Sequence, residues 1–326
     1  MTAAANAPSP QADSLVVGVA QMAPLWFDRD GTLQKMEQWA ERAADAGCGL
    51  VAFGEALAPG YPFWIERTDG ARFESDRQKD LFARYLDQAV RPEQGHLAGL
   101  ARVAARRGLH IVMGCVTAPA DRGGHTLYCT LVHIGACGEV LTTHRKLVPT
   151  YEERLVWGQG DGHGLDVHAV GPFTVGGLNC WENWMPLARV ALSAQGEDLH
   201  VAIWPGSLRN TEDITRFAAR EGRSFVLAAS GLLRPEDIPD DAPERAALIN
   251  ADGSALADGG SAIAGPDGQW VVEPVVGEEK LIVATLEAAS VRRERQNFDP
   301  VGHYSRPDVT RLIVDRRRLG VMETID

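Results

Sequence analysis

The sequence predicts an α+β fold in which mixed β-sheets are covered by helices. Short apolar segments typical of buried strands alternate with segments whose apolar residues recur at helical spacing, in both halves of the chain. Some neighbouring strands are separated only by short turns, which indicates hairpins and therefore antiparallel pairs beside parallel ones. No internal repeat or linker interrupts this pattern over the 326 residues, so we predict one domain.

The first half of the chain opens with an apolar strand and an amphipathic helix that ends at Gly47, a residue suited to the C-cap. A second buried strand ends on the carboxylate of Glu55, and two helices separated by Pro92 follow. The turn ADRGG then joins two strands as a hairpin. The predicted strands are 15–20, 49–55, 110–117, 126–134 and 139–146, and the predicted helices are 31–46, 76–89 and 93–107.

The second half repeats the alternation after a glycine-rich loop, WGQGDGHG. Its predicted strands are 165–170, 173–179, 200–205, 224–230, 270–276 and 280–286, and its predicted helices are 185–194, 214–221 and 286–296. A polar segment rich in proline and aspartate, 234–246, is predicted to be a surface loop.

Charge and composition exclude several classes of function. With 44 acidic and 32 basic residues, the formal net charge is −12, which disfavours binding to nucleic acid or to anionic lipid. Residues 1–14 are small and polar without a basic start, which predicts a disordered tail and not a secretory signal. No apolar run is long enough to span a membrane, so we expect a soluble, cytoplasmic protein.

The five cysteines do not form a disulfide or zinc pattern, because their number is odd and no Cys-x-x-Cys occurs. Four of them lie in or beside apolar segments and are interpreted as buried, inert thiols: Cys48, Cys115, Cys129 and Cys137. The exception is Cys180 in GGLNCWENWMPLAR, at the turn from a strand to a helix. Such a turn directs backbone N–H groups at the thiol, which predicts a lowered pKa and an oxyanion hole.

Two further motifs place charge at strand ends. FGEALAPGYPFW has Glu55 at the end of a strand, and HRKLVPTYEERLVW has Lys146 at the end of another, with Glu153 seven residues later. Taken alone, each motif has a structural alternative: a solvated strand-end carboxylate, surface ion pairs, or, for Cys180, a buried inert thiol. The charges of the second motif are interleaved with apolar residues, which indicates partial burial, and buried charges must be paired or functional.

Together the three motifs resemble the nitrilase branch of the carbon–nitrogen hydrolase superfamily. The similarity continues through HVAIWPGS, AASG, GGSAIAGPDG and GHYSRPDV, and CWENWMPLAR is more similar to nitrilases than to amidases or carbamoylases of the superfamily. The resemblance implies a four-layer αββα sandwich of two mixed β-sheets flanked by helices. It also implies a hydrolase domain at 15–312, followed by a C-terminal tail at 313–326.

The resemblance implies catalytic roles for Glu55, Lys146 and Cys180, with Glu153 as a second carboxylate. Cys180 would attack a nitrile, Glu55 would act as general base, and Lys146 would stabilise the developing charge, through thioimidate and thioester intermediates. Ammonia and a carboxylic acid would be the products, and no metal or organic cofactor is needed at any step. No His-Glu-x-x-His motif occurs among the nine histidines, which agrees with the absence of a metal site.

Three residues are predicted to bind substrate: Tyr61, Trp181 and Trp204. Aromatic residues in strands are more often core residues, so this prediction has a structural alternative. The resemblance also implies at least a homodimer through helix positions 185–192, with a spiral homo-oligomer or filament as an extension. The basic stretch 311–318 could add charged contacts to the acidic body.

The sequence departs from the family pattern at two places. The residue before Glu55 is Gly54 where relatives often have proline, and this is expected to loosen the turn. The segment after Val309 is short, which predicts modest or variable filament length. Two alternative functions stay open at this point: an amidase or cyanide-hydrating enzyme on the same three residues, and a catalytically silent scaffold.

Overall fold

A computed structural model describes residues 13–322 of the chain. The predicted N-terminal tail, 1–14, lies outside the described residues except for its last two, and Ser14 already begins the first strand. The last four residues of the predicted C-terminal tail, 323–326, also lie outside them. None of the described helices is both long and apolar enough to cross a bilayer.

The first sheet contains β1 (Ser14–Gln21), β2 (Leu50–Phe53), β3 (His110–Thr117), β4 (Tyr128–Ile134), β5 (Val140–Arg145) and β13 (Lys280–Glu287). The strands lie in the order β13-β1-β2-β3-β4-β5. The three central strands, β1, β2 and β3, run parallel to one another, whereas β4, β5 and β13 pair antiparallel with their neighbours. The first sheet is therefore mixed, as predicted.

The second sheet contains β6 (His168–Val170), β7 (Phe173–Asn179), β8 (Leu199–Trp204), β9 (Phe225–Ser230), β10 (Leu232–Leu233), β11 (Ala257–Ala264) and β12 (Trp270–Val276). Its order is β10-β11-β9-β8-β7-β6, with β12 paired to β11. Here β7, β8 and β9 are parallel and the other pairs are antiparallel. The two sheets thus share one plan, a parallel centre with antiparallel edges.

The helices are α1 (Arg29–Asp45), α2 (Trp64–Arg67), α3 (Asp76–Asp87), α4 (Ala98–Arg107), α5 (Pro186–Ser193), α6 (Leu208–Gly222), α7 (Arg245–Leu248) and α8 (Ala288–Arg295). Helices α1 and α4 cover the outer face of the first sheet, where Met36 and Leu100 join a buried cluster with Phe53. Helices α5 and α6 contribute to the buried clusters on the outer face of the second sheet.

The inner faces of the two sheets pack against each other through a shared apolar cluster. In β2, Leu50 and Ala52 face this inner cluster, whereas Val51 and Phe53 face the helices, as the two-residue period of a strand requires. Burial on both faces explains why the central strands are continuous apolar segments in the sequence. The four-layer αββα sandwich of two mixed sheets flanked by helices is confirmed.

The sequence did not predict β11, an inner strand of the second sheet that pairs with β9, β10 and β12. Its segment ADGGSAIA contains Gly259 and Gly260, both with positive φ, at irregular positions of the β11–β12 register. Glycine and aspartate are depleted in strands, so the local pattern does not indicate one. Pairing with β9, which is distant in sequence, and with the following strand β12 decides the conformation instead.

Several predicted boundaries also differ from the structure. The predicted helix 93–107 is divided, because a short 3₁₀ turn at Pro92–Gln94 ends at Gly95 in the left-handed conformation before α4 begins at Ala98. The predicted loop 234–246 runs into a short helix, α7. The predicted strand 165–170 is shorter in the structure, where it is β6.

Candidate active site

The three predicted catalytic residues follow strand ends at one end of the sandwich. Glu55 comes after β2 and Lys146 directly after β5 in the first sheet, and Cys180 directly follows β7 in the second. All three side chains are buried, with residue exposures of 1%, 1% and 3%. The sandwich therefore brings together residues that are far apart in the sequence, as the motifs predicted.

Lys146 is the centre of the cluster. Its Nζ lies 2.9 Å from Oε1 of Glu55 and 2.8 Å from Oε2 of Glu153, and both carboxylates are buried. Burial by itself lowers the pKa of this lysine, but the acidic groups of Cys180, Glu55 and Glu153 around it outweigh burial and raise the pKa well above its usual range. The ammonium therefore stays charged in a dry environment.

Glu55 presents one bound and one free oxygen. Oε1 accepts from Lys146 and from Sγ of Cys129 at 3.3 Å, whereas Oε2 has no hydrogen-bond partner among the residues of the described chain. Burial raises the pKa of Glu55 to about 7, and the adjacent Lys146 opposes this shift. A carboxylate with a pKa near neutrality and a free lone pair is suited to act as a general base.

Cys180 sits at a strained turn. Its φ is +49°, in the left-handed region that non-glycine residues seldom adopt, and it begins a 3₁₀ turn, Cys180–Trp184, that leads into α5. The strand-to-helix turn predicted from the sequence is thus present. The backbone N–H of Trp181 donates to the thiol, so a hydrogen-bond donor lies where negative charge would develop during attack.

The predicted lowering of the Cys180 pKa is wrong. Burial raises its pKa well above the usual value, and the negative charge of Glu55 adds to the shift, whereas Lys146 and the N–H of Trp181 oppose it. The sequence showed the donors of the turn but not the depth of burial, which favours the neutral thiol. Cys180 is consequently a thiol at rest that needs a base, and Sγ lies within 4.8 Å of carboxylate oxygens of both Glu55 and Glu153.

Glu153 lies on the 3₁₀ turn Tyr151–Leu155 and is 1% exposed. Its Oε2 also accepts from the backbone N–H of Thr150 at 2.6 Å. Its Oε1 accepts from the hydroxyl of Tyr61 at 2.7 Å. Tyr61, predicted to bind substrate, therefore contacts the second carboxylate, and its ring lies 5.6 Å from that of Trp157.

The two other predicted substrate-binding residues occupy different environments. Trp204, at the end of β8, is fully buried in the same cluster as Cys180, and its backbone oxygen accepts from the N–H of Glu55 at 2.9 Å. Trp181 is 47% exposed and stacks on Trp184 at a ring distance of 6.1 Å. The structure therefore groups Tyr61 with the charged residues, places Trp204 in the core and leaves Trp181 at the surface.

Sequence reasoning missed one polar neighbour of Glu55. Cys129, interpreted as an inert thiol, donates to Glu55 and lies 3.7 Å from Oδ1 of Asn179. Its sequence signal was only its position in a strand. Its partners come from the segment after β2 and from β7, so pairing between distant segments was needed to find the contact.

Gly54 is tightly packed, contrary to the expectation that it loosens the turn. A Cβ at this position would lie 2.6 Å from the backbone nitrogen of Gly231 and 3.0 Å from the backbone oxygen of Trp204. The two sheets approach each other here through their backbones. Glycine thus permits the contact that holds Glu55 beside the second sheet.

Glu55, Glu153 and Cys180 have the donor atoms of a small metal site, within 4.8 Å of one another. The ammonium of Lys146, however, lies within 3 Å of both carboxylates and occupies the position that a cation would take. The positive charge of this cluster is thus supplied by the chain itself. A buried thiol beside a general base, an ammonium and a backbone N–H is the arrangement of a hydrolase with a cysteine nucleophile.

Comparison with known proteins identifies the family. A carbon-nitrogen hydrolase family model matches residues 16–296. A protein named nitrilase 2, from an unknown prokaryotic organism, is 37% identical over 305 residues, which cover 93% of each chain. Nitrilase 2 of Arabidopsis thaliana is 35% identical over 91% of this chain and 87% of its own, and an aliphatic nitrilase of Rhodococcus rhodochrous is 33% identical over 94% and 84%. The chain belongs to the carbon-nitrogen hydrolase family, in its nitrilase branch.

Solved structures show the same fold. A carbon-nitrogen hydrolase from Helicobacter pylori superposes with a TM-score of 0.68 over 91% of this chain and 97% of its own, at 16% identity. An amidase from Nesterenkonia sp., crystallised as a mutant with acrylamide, superposes with a TM-score of 0.63 over 89% and 97%, at 18% identity. At these identities the likeness concerns the fold.

Proposed function

We propose that this protein is a nitrilase, which hydrolyses an organic nitrile to the carboxylic acid and ammonia with Cys180 as nucleophile. The observation that carries the proposal is the enclosed cluster in which one ammonium bridges two carboxylates beside a buried thiol. The curated relatives support the nitrile as substrate, because three of them at 33–37% identity are named nitrilases.

The first half-reaction joins the substrate to the enzyme. Glu55 takes the thiol proton through its free Oε2 while Sγ of Cys180 attacks the nitrile carbon. Negative charge develops on the nitrile nitrogen, where Lys146 and the N–H of Trp181 stabilise it. Return of the proton from Glu55 to that nitrogen completes a neutral thioimidate, R–C(=NH)–S–Cys180.

The second half-reaction uses two waters. The first water adds to the thioimidate carbon while Glu55 takes its proton. Glu55 then gives this proton to the leaving nitrogen, ammonia departs, and a thioester remains. The second water attacks the thioester carbon and the C–S bond breaks, which releases the acid and returns the proton to Cys180. Loss of sulfur instead of ammonia after the first addition would release an amide, so the orientation of the leaving nitrogen decides the product.

Glu153 supports this sequence without being the base. Its two oxygens are occupied by Lys146, Tyr61 and the N–H of Thr150, so it fixes the ammonium and has little capacity to accept another proton. We assign Tyr61 to positioning Glu153, with its aromatic ring available to a substrate beside Trp157. Trp204 forms part of the buried wall around Cys180.

Ammonia release from a substrate panel tests the proposal. The panel contains aliphatic, arylaliphatic and aromatic nitriles, their amides, and cyanide, and acid and amide are quantified beside ammonia. We expect at least one nitrile class to yield acid and ammonia, with Cys180→Ala as the inactive control. Turnover of amides alone would establish an amidase, and turnover of cyanide alone a cyanide-hydrating enzyme. No turnover together with an unreactive Cys180 would establish a silent scaffold.

We also propose that a second copy of this chain covers the exposed apolar residues of α5. Leu187 and Val190 lie three residues apart on this helix and are 65% and 41% exposed, and Phe217 of α6, under Arg189, is 52% exposed. Residues at this spacing share one helix face, so the surface suits a two-fold contact. Light scattering during size-exclusion chromatography should show at least a dimer, and Leu187→Glu should weaken it. A wild-type mass near 35.2 kDa would exclude the dimer.

Stacking of dimers into a spiral is the extension of this proposal, and large heterogeneous species in the same experiment would support it. The basic residues of the C-terminal stretch contact their own chain, where Arg316 pairs with Asp166 and Arg318 with Asp161.

For the compartment we propose the cytoplasm, and the five unpaired cysteines support a reducing environment.

A further inference from the structure

A second buried carboxylate connects the two sheets behind the catalytic cluster. Glu182 lies two residues after Cys180, and its side chain has no solvent exposure. Its Oε1 accepts from the backbone N–H of Leu147 at 2.6 Å, and its Oε2 accepts from the backbone N–H of Asn179 at 2.9 Å. Nε2 of His144 lies 3.1 Å from both oxygens.

The two backbone donors belong to the residues next to the catalytic ones. Leu147 follows Lys146 at the end of the first sheet, and Asn179 precedes Cys180 at the end of the second. One rigid carboxylate thus fixes the strand end that carries the ammonium against the strand end that carries the thiol. Both oxygens of Glu182 are occupied by these contacts, so Glu182 takes part in no chemical step of the proposed mechanism.

The charge of Glu182 is maintained in the core. Burial alone would raise its pKa, but His144 and the backbone N–H groups of Leu147 and Asn179 outweigh burial and lower the pKa. A carboxylate can accept at both oxygens, whereas an amide accepts at only one. The two backbone donors on opposite sheets therefore require the ionised acid at this position.

The contacts of Glu182 and Asn183 stabilise the strained turn at Cys180. Cys180 has φ of +49°, and such a conformation persists only where neighbouring contacts determine it. The Glu182 contact fixes the residue before Cys180, and Nδ2 of Asn183 donates to the oxygen of Cys180 at 2.8 Å. Released from these contacts, the thiol would move relative to Lys146 and Glu55.

We propose that Glu182 is a positioning residue for hydrolysis at Cys180, which fixes the distance between the thiol and the Lys146 ammonium by bridging the two sheets. This inference rests on the proposed function, because its effect appears in the chemistry at Cys180. A displacement of about 1 Å can cost on the order of 10²-fold in turnover. Loss of the bridge should therefore lower kcat much more than it changes KM.

The test compares Glu182→Gln and Glu182→Asp with the wild-type full-length protein and with Val175→Ala. Val175 is a buried core residue on the same strand as Asn179, so its truncation destabilises β7 without touching the bridge. For each variant, kcat and KM are measured on the best nitrile, and the folded fraction is determined by circular dichroism and thermal unfolding.

We expect Glu182→Gln to lower kcat per folded molecule about 10- to 100-fold, with KM within about threefold of wild type. Glu182→Asp keeps the charge but has a shorter side chain, so its kcat should lie between those of Glu182→Gln and the wild type. Val175→Ala should lower the melting temperature while retaining kcat. A Glu182→Gln variant whose kcat stays within twofold of wild type, or falls only with the folded fraction, would overturn the proposal. If Glu182→Gln does not fold, Glu182→Asp decides by the same criteria.

A second readout separates this inference from the substrate assignment. Iodoacetamide alkylation of Cys180, followed by peptide mass spectrometry to distinguish it from the exposed Cys137, requires no nitrile turnover. In Glu182→Gln, displacement of the Cys180 thiol relative to Lys146 should slow alkylation of Cys180 at least threefold. In Val175→Ala the alkylation rate should be unchanged. Equal rates in wild type and Glu182→Gln would refute the positioning role even if no nitrile is hydrolysed.

Discussion

Two polar clusters lie at opposite ends of the first sheet, and burial leaves one of them charged and the other neutral. Glu55, Lys146 and Glu153 remain an ion cluster at one end. At the other end Nδ1 of His110 lies 3.1 Å from Nε2 of His133, whose ring contacts that of His168. Strand β4 contributes to both, because it carries Cys129 and, four residues later, His133.

The difference is a counter-charge in contact with the buried group, because Lys146 contacts two carboxylates whereas the charged neighbours of His133 are histidines. Burial lowers the pKa of His133 to about 3, and the neighbouring histidines add to the shift, so this end is neutral. At the catalytic end, burial acts on Lys146 in the same direction, but the neighbouring acidic groups, among them the carboxylates of Glu55 and Glu153 in contact with the ammonium, outweigh it. Buried titratable groups thus become neutral unless the fold supplies a partner, and only the partnered cluster retains charge for catalysis.

The largest effect should come from removing the nucleophile while the charges are kept. Cys180→Ala deletes one sulfur from the charged end and should abolish hydrolysis, with native circular dichroism and little change in thermal stability. Cys180→Ser should be nearly as inactive, because an alkoxide is harder to generate than a thiolate. Turnover near the wild-type rate in a folded Cys180→Ala protein would contradict the nucleophile assignment.

Breaking the charge balance should affect both activity and stability. Lys146→Ala and Glu55→Gln should each lower turnover about 10²-fold or more. Lys146→Ala additionally leaves two buried carboxylates without their cation, at a cost of about 3 to 5 kcal/mol in the free energy of unfolding. Steady-state kinetics and urea denaturation measure the two effects, and near-normal activity in either variant would show that the site is misassigned.

Glu153→Gln should have a smaller effect than either of these variants, because Glu153 holds Lys146 and takes no proton itself. We expect turnover to fall with less change in the binding of substrate. The same kinetic and denaturation measurements apply. Loss of stability at unchanged kcat per folded molecule would assign Glu153 a structural role only.

The two clusters should respond to pH over different ranges. Glu55 must be ionised to accept the thiol proton, so kcat/KM should fall as pH decreases through about 7. Circular dichroism over the same range should stay native, because the change reflects one carboxyl group in the folded enzyme. A kcat/KM that is constant between pH 6 and 8 would contradict Glu55 as the base.

Protonation of the histidine cluster should change the stability of the protein and leave its turnover unchanged. The folded pKa of His133 lies below the unfolded value of 6.5, so the unfolded state binds more protons between pH 6.5 and 3. The free energy of unfolding should therefore fall as pH decreases through this window, by at most about 1.4 kcal/mol per pH unit for this histidine. His133→Leu should flatten the dependence, whereas His303→Leu, at an exposed position, should not. Identical pH slopes in the two variants would refute the explanation.

The sequence by itself determined the alternation of elements and the residue types of the site. Apolar period and glycine positions are local properties, so the central strands and α1 were predictable. Glu55, Lys146 and Cys180 could be named because each ends a strand within a distinctive motif, and strand ends converge in such a sandwich. The family resemblance supplied the rest of that prediction, and the comparison with known proteins confirmed the family.

Only the tertiary structure decided the environments of these residues. Burial raises the pKa of Cys180 where the local turn predicted lowering, and contacts between distant strands place Cys129 beside Glu55 and Glu182 between the sheets. Strand β11 forms against its local propensity because the distant strand β9 pairs with it. Desolvation and long-range hydrogen bonds depend on which segments meet in space, and no local pattern in the chain encodes that directly.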